Sequence, residues 1–254
     1  MEKIIIALFG LAWGSFLNVV IYRLPRGQSL AWPPSSCPQC RTRIKPHDNI
    51  PILSYLLLRG KCRSCGSKIS LLYPFVEAVT AVCFLLLHGQ FALSLHFFTS
   101  CFFASALIAL CFIDLTHQIL PDEITLPGLA LALVYSWFRP DLSLRQALVG
   151  AVAGAGFLLV IYGVYWLLRK KEGLGMGDVT MMLLVGAYLG WQKAFFTLLV
   201  ASLAGALVGV FLLSFRKKDL QFSLPFGSFL APAAFIALIW GDRIIGAYLS
   251  LYRR

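Results

Sequence analysis

Asp114, in the run CFIDLTHQILPDE, and Asp178, closing GLGMGD, stand at the edges of hydrophobic segments, where a charge is hard to place. Carboxylates kept at a membrane boundary do chemistry or move ions. Two of them brought close together cannot both ionise cheaply, so the pair holds one shared proton over a wide pH range. One member then draws a proton from water while the other donates one to a carbonyl oxygen or leaving amine. That is the acid–base work of peptide hydrolysis, and it needs neither a metal nor a nucleophilic side chain. Gly173, Gly175 and Gly177 precede Asp178 and offer backbone without side chains, against which an extended peptide can lie. Taken alone they read equally as a flexible turn. Asp114 is expected at a helix C-terminus and Asp178 at a helix N-terminus, and this polarity assigns Asp114 as the acid and Asp178 as the base. Asp122 is expected to cap the helix that follows it.

A second chemistry-bearing group is the pair of knuckles CPQC, Cys37 to Cys40, and CRSC, Cys62 to Cys65, separated by 21 residues. Each knuckle presents two thiolates, and two knuckles complete the tetrahedron that suits zinc. Four protein ligands leave no open position, so the expected site is structural, folding a loop too small to build its own core. Two disulfides or a redox pair are the competing readings, and a cytoplasmic loop argues against the first. His47 and Asp48 read as spare ligands or as solvated loop residues. Cys83, Cys101 and Cys111 lie in apolar segments and are assigned no role.

The elements that must position these residues are membrane spans. The chain has 254 residues, of which 59% are hydrophobic and 13% charged, and its mean hydropathy is +0.80. That composition lies well outside the range of soluble domains. Eight apolar segments are expected as helices, over residues 4–22, 71–88, 91–113, 123–138, 146–168, 179–190, 194–215 and 229–250, the fourth and sixth short and packed inside the bundle. The expected fold is thus an all-α integral membrane bundle of about eight helices with a small zinc-binding insertion. Its divisions are 1–22, the first span; 23–70, the cysteine loop; and 71–254, the bundle carrying the aspartates.

The odd-numbered loops hold fifteen Lys or Arg and the even-numbered loops three, which by the positive-inside rule places the odd loops in the cytoplasm and both termini outside. Asp114 borders loop three and Asp178 borders loop five, so both face the same side. The net charge of +11 follows from this asymmetry and from attraction to acidic membrane lipids. Basic residues interleaved with spans, rather than grouped on a soluble face, argue against nucleic-acid binding. The first span lacks a small-residue cleavage site and is expected to be retained. A proton- or cation-coupled transporter is the rival reading of two membrane carboxylates, but transporters bind near the midplane and often show inverted repeats, and no repeat is visible here.

At these residues the sequence resembles the type IV prepilin peptidases, bacterial membrane aspartic proteases of the GxGD class. The resemblance is carried by GSFLNVVIYRLP at Gly14 to Pro25, the paired CxxC motifs, YPFVE at Tyr73 to Glu77, FIDLTHQILPD at Phe112 to Asp122 and GLGMGD at Gly173 to Asp178. It implies that Asp114 and Asp178 are catalytic. It also implies that the substrates are type IV prepilins or type II secretion pseudopilins, whose basic leader is removed after glycine at the cytoplasmic face of the bacterial inner membrane. Similar enzymes methylate the new N-terminal residue with S-adenosylmethionine; Glu77 and the cysteine loop are compatible with that activity, and no fingerprint for the donor is recognisable. Where the family often has Lys two residues after the second aspartate, this chain has Thr180. Gly14, Ser15 and Asn18 read either as close helix packing or as part of a substrate or donor site.

Overall fold

The computed structural model describes residues 1–170, 175–215 and 224–251, and these are helical apart from loops, turns and two isolated bridges, Ser36 with Arg43 and Lys61 with Lys68. The principal helices are α1 Glu2–Arg23, α2 Leu53–Leu57, α3 Leu72–Phe91, α4 Leu95–His117, α5 Asp122–Ser136, α6 Leu144–Arg169, α7 Met176–Leu189, α8 Trp191–Phe215 and α9 Gly227–Leu251. All eight segments expected to be helical are helical, with ends shifted by a few residues. Among the described residues six helices, α1, α3, α4, α6, α8 and α9, are long and apolar enough to cross a membrane. Large apolar side chains stay exposed along them, such as Leu8 on α1, Phe102 on α4, Val160 on α6 and Leu207 on α8. In lipid that face costs nothing.

The chain divides into two compact units, residues 1–109 and 110–254, with the boundary inside α4. In the first unit α1 buries Ile6, Gly10, Gly14, Leu17 and Ile21, one residue per turn. A Cβ added at Gly10 would lie 2.7 Å from the Ala81 backbone, and one at Gly14 2.7 Å from that of Glu77. Backbone contact of this kind lets two apolar helices associate where no hydrophobic effect drives them together. Trp13 Nε1 donates to Ser105 Oγ at 2.9 Å, joining α1 to the first part of α4.

In the second unit the core is α7. Its 14 residues rise about 21 Å, short of the roughly 30 Å of bilayer hydrocarbon, and nearly every residue from Asp178 to Leu189 is buried. Glycines again set the approach: a Cβ on Gly150 of α6 would lie 2.2 Å from the Gly186 carbonyl oxygen, and one on Gly186 2.1 Å from that of Gly150. The last carbonyls of a buried helix need partners. Arg139 supplies one, donating Nη1 to Tyr188 O at 2.6 Å while its guanidinium lies 5.5 and 5.4 Å from the ring centroids of Tyr135 and Tyr188 and its Nε–Nη2 edge pairs with Asp141. Ser143 and Gln146 close a capping box at the start of α6.

The expected cap on α5 is corrected. Pro121, in extended conformation, is the capping residue. Asp122 is the first residue inside the helix, where its carboxylate accepts from Thr125 Oγ1 at 3.3 Å. Pro121 offers no side-chain oxygen to the first N–H groups of α5, and its ring fixes the extended entry to the helix.

Candidate active site

Asp114 lies in the last turn of α4 and Asp178 in the first turn of α7, both within the second unit and 5% and 6% exposed. They are near enough to act on each other electrostatically. Each carboxylate is held by main-chain donors. Ser228 N donates to Asp114 Oδ2 at 2.8 Å, and the N–H of Gly227 also points at this carboxylate, so the N-terminus of α9 meets the aspartate head-on. Asp178 receives the N–H of Gly175, the capping residue of its own helix. The polarity contrast expected between the two is therefore offset: Asp114 ends one helix but faces the N-terminus of another.

Leu120 organises the space around the pair. A Cβ on Gly177 would lie 2.7 Å from Leu120 Cβ, and one on Gly227 would lie 2.8 Å from Leu120 Cδ1 and 3.0 Å from Asp114 Oδ2. Leu120, which lies within the FIDLTHQILPD run, thus leaves no room for a Cβ at Gly177, while at Gly227 its terminal methyls and the Asp114 carboxylate crowd the same position. Gly175 is extended and exposed, with its φ in the ordinary range. Gly173 lies outside the described residues. Thr180 turns its hydroxyl back to Gly177 O at 3.0 Å. The Gly227–Ser228 donors also went unread in the sequence; the only signal for them is a Gly–Ser pair just before the last apolar segment.

The four cysteines converge in the first unit. Their Sγ atoms all lie within 4.8 Å of one another, with Cys37 to Cys65 at 3.9 Å and Cys40 to Cys62 at 4.0 Å. Four sulfurs around zinc at Zn–S of about 2.3 Å stand roughly 3.8 Å apart, so the donor set fits zinc, and the thiols are free rather than paired in disulfides. The knuckles are built alike. Arg41 N donates to Cys37 O and Gly66 N to Cys62 O, and both donors have positive φ, 57° and 71°. Main-chain N–H groups, that of Cys40 foremost, lower the Cys37 thiol to about 6, and the Ser67 hydroxyl lowers that of Cys65. Donors aimed at sulfur favour the thiolate that a metal takes. Asp48 is engaged elsewhere, gripped by Arg63 Nε at 3.0 and 2.8 Å and Nη2 at 2.6 Å, and stands outside the cluster with His47. Arg63 holds that carboxyl below the usual carboxylate range.

A third buried carboxylate belongs to the first unit. Glu77, 7% exposed, accepts the Ile52 N–H at 2.8 Å and faces Ser15. Asn18, also buried, donates to Tyr73 O at 3.0 Å.

A polytopic helical protein with two buried aspartates, helix termini directed at them and a separate four-cysteine cluster defines a class: membrane proteins that combine paired buried carboxylates with a metal-ready loop. Comparison with known proteins narrows it. A family model for the bacterial peptidase A24 N-terminal domain matches residues 8–91, and one for the type IV leader peptidase family matches residues 101–210. This chain belongs to the type IV leader peptidase family. Among its relatives are proteins named prepilin leader peptidase/N-methyltransferase from Pseudomonas putida, 39% identical over 95% of this chain and 92% of the relative, and from Pseudomonas aeruginosa, 39% identical over 96% and 92%. One of the same name from Legionella pneumophila is 34% identical over 98% of this chain and 95% of its own length. No solved structure matches.

Proposed function

We propose that this protein removes the leader peptide of type IV prepilins or type II secretion pseudopilins and then methylates the new N-terminus. The observation that carries the first activity is the pair of aspartates buried at the ends of α4 and α7 and each held by main-chain N–H groups. With their orientation fixed from behind, the carboxylates share one proton. The ionised member takes a proton from water as it attacks the scissile carbonyl, the protonated member supplies one to the carbonyl oxygen, and the departing amine is protonated as the tetrahedral species collapses. Fixed carboxylates lower the cost of ordering the transition state.

In this reading α5 and α7 join the six long helices as the fourth and sixth of eight membrane segments. The chain then comprises a first helix, a cysteine loop and a peptidase bundle in the bacterial inner membrane, with the aspartates and loop on the cytoplasmic side and both termini outside. Lipid headgroups neutralise the basic loops, and nucleic acid has no part. Cys37, Cys40, Cys62 and Cys65 hold structural zinc, which stiffens the loop. Gly173, Gly175 and Gly177 provide main chain beside the bound peptide. S-adenosylmethionine, when bound, supplies the methyl group. The test is incubation of the purified protein with a prepilin in lipid: a shortened product is expected, and its persistence with Asp114→Asn or Asp178→Asn would overturn the proposal.

A further inference from the structure

Leader removal employs two of the buried carboxylates among the described residues and leaves Glu77 without a task. A carboxylate buried in an apolar helix is expensive to keep. Its surroundings are built around it. The Ile52 N–H reaches Glu77 Oε2 because Ile52 has φ 59° and ψ −49°, a left-side conformation that a β-branched residue adopts only under constraint. The constraint is visible: Leu53 N donates to Pro51 O across Ile52, Ile50 N donates to Ser54 Oγ at 2.9 Å, and Ser54 Oγ donates to His47 O at 2.9 Å. Strain is thus spent on aiming one donor at one carboxylate.

The carboxylate is also connected to open space. Ser15 faces Glu77 and at the same time lines an open-sided cavity of about 340 Å³ beside Ala12, Phe16, Val19, Asn49 and Pro51, of which Phe16 is 44% exposed. Gly14 beside it brings the α1 backbone against Glu77 itself, so there is no room for a side chain that would screen the acid from Ser15. A buried carboxylate, a hydroxyl leading from it to a cavity, and apolar walls with a few polar atoms make a site for a small cationic or amine group at the end of an apolar chain.

We infer that the Glu77–Ser15 cavity binds the free α-amino group of the processed substrate and that Glu77 is the base of its N-methylation, an inference that rests on the second activity proposed above. The nitrogen lone pair forms the new N–C bond to the methyl of a sulfonium donor. The S–C bond breaks with its electrons returning to sulfur, which becomes a neutral thioether, and Glu77 takes the proton that nitrogen loses through the Ser15 hydroxyl. Ile52 N–H holds the carboxylate in place throughout and is a positioning group.

The experiment follows leader removal and incorporation of labelled methyl from S-adenosylmethionine in the full-length protein in lipid, together with equilibrium binding of the processed N-terminal peptide as the free amine and as its N-acetyl form. Glu77→Gln, which keeps the shape and an acceptor for Ile52, is expected to cleave prepilin and to lose roughly 10²-fold or more in methyl transfer. It should also lose the preference for free amine over acetylated peptide that the unaltered protein shows. Methyl transfer at the unaltered rate, or cleavage and methylation falling in step, overturns the inference. Should Glu77→Gln not accumulate, Ser15→Ala replaces it, and full methylation by that variant likewise overturns it. Failure of the unaltered protein to cleave any prepilin would sink the function proposed above, whereas the amine-against-acetyl comparison would still judge this site.

Discussion

The main-chain N–H of Ser228 donates to Oδ2 of Asp114 over 2.8 Å, linking the first turn of α9 to the last turn of α4. A hydrogen bond to a charged group contributes about 1.5–3 kcal/mol, or roughly 10- to 100-fold in rate if it is strongest in the transition state. Ser228→Pro removes this donor and sets the ring Cδ where the N–H points at Asp114 Oδ2, so kcat is expected to fall by at least that factor. Ser228→Ala keeps the N–H and loses only the hydroxyl bond to Pro225 O, so it should stay near the unaltered rate. Equal activities for the two variants would show that the donor is idle.

Asp114→Asn and Asp178→Asn are each expected to lower kcat by at least roughly 10³-fold with little change in KM, because in the proposed reaction both groups act on the reacting atoms. The double variant should be no worse than either single one, since two carboxylates sharing a proton work as one unit. Rates for the three variants measure this directly.

Leu120 packs on Gly177 and Gly227 and so sets the width of the space beside Asp114. Gly177→Ala places a Cβ 2.7 Å from Leu120 Cβ and is expected to reduce cleavage sharply. Combining it with Leu120→Ala does not relieve that contact, because alanine keeps its Cβ, whereas Leu120→Gly does. Recovery of cleavage in the Gly177→Ala, Leu120→Gly pair, with none in the Gly177→Ala, Leu120→Ala pair, is the expected pattern.

Replacing Cys40 or Cys62 with Ser is expected to reduce bound zinc from one per chain to near none, and to make residues 23–70 the first site of proteolysis. Removal of zinc by a chelator should do the same in the unaltered protein, since metal binding and folding of such a loop are one equilibrium. Zinc content by elemental analysis and limited proteolysis read the two effects separately.

Gly186→Ala puts a Cβ 2.1 Å from the Gly150 carbonyl oxygen, a contact with backbone that cannot turn aside. Overpacking of this kind costs about 1–3 kcal/mol or more, and the helix that must move carries Asp178. Both thermal stability in detergent and cleavage are expected to drop, while Gly163→Ala, with open space at its Cβ, should leave both unchanged.

Much of this protein is local in origin and therefore legible along the chain. Apolar runs specify where helices form because lipid permits no unpaired backbone, and all eight expected segments are helices. The cysteine cluster is equally local: two knuckles of fixed geometry need only a short loop to meet, and the sulfurs do converge. The aspartates announce themselves because a carboxylate next to lipid has few structural uses.

What the chain order could not convey is which distant elements close on those residues. The α9 terminus that meets Asp114, the Leu120 side chain that packs on Gly177 and Gly227, and the strained Ile52 N–H on Glu77 join positions far apart in sequence. No periodicity or motif announces these contacts, because packing partners are chosen by shape and by the need to satisfy buried polar groups, and those are settled only when the helices assemble. Amino-acid type alone determined that this is a membrane protein with paired acids and a metal-ready loop; tertiary packing decided how the acids are held and what surrounds them.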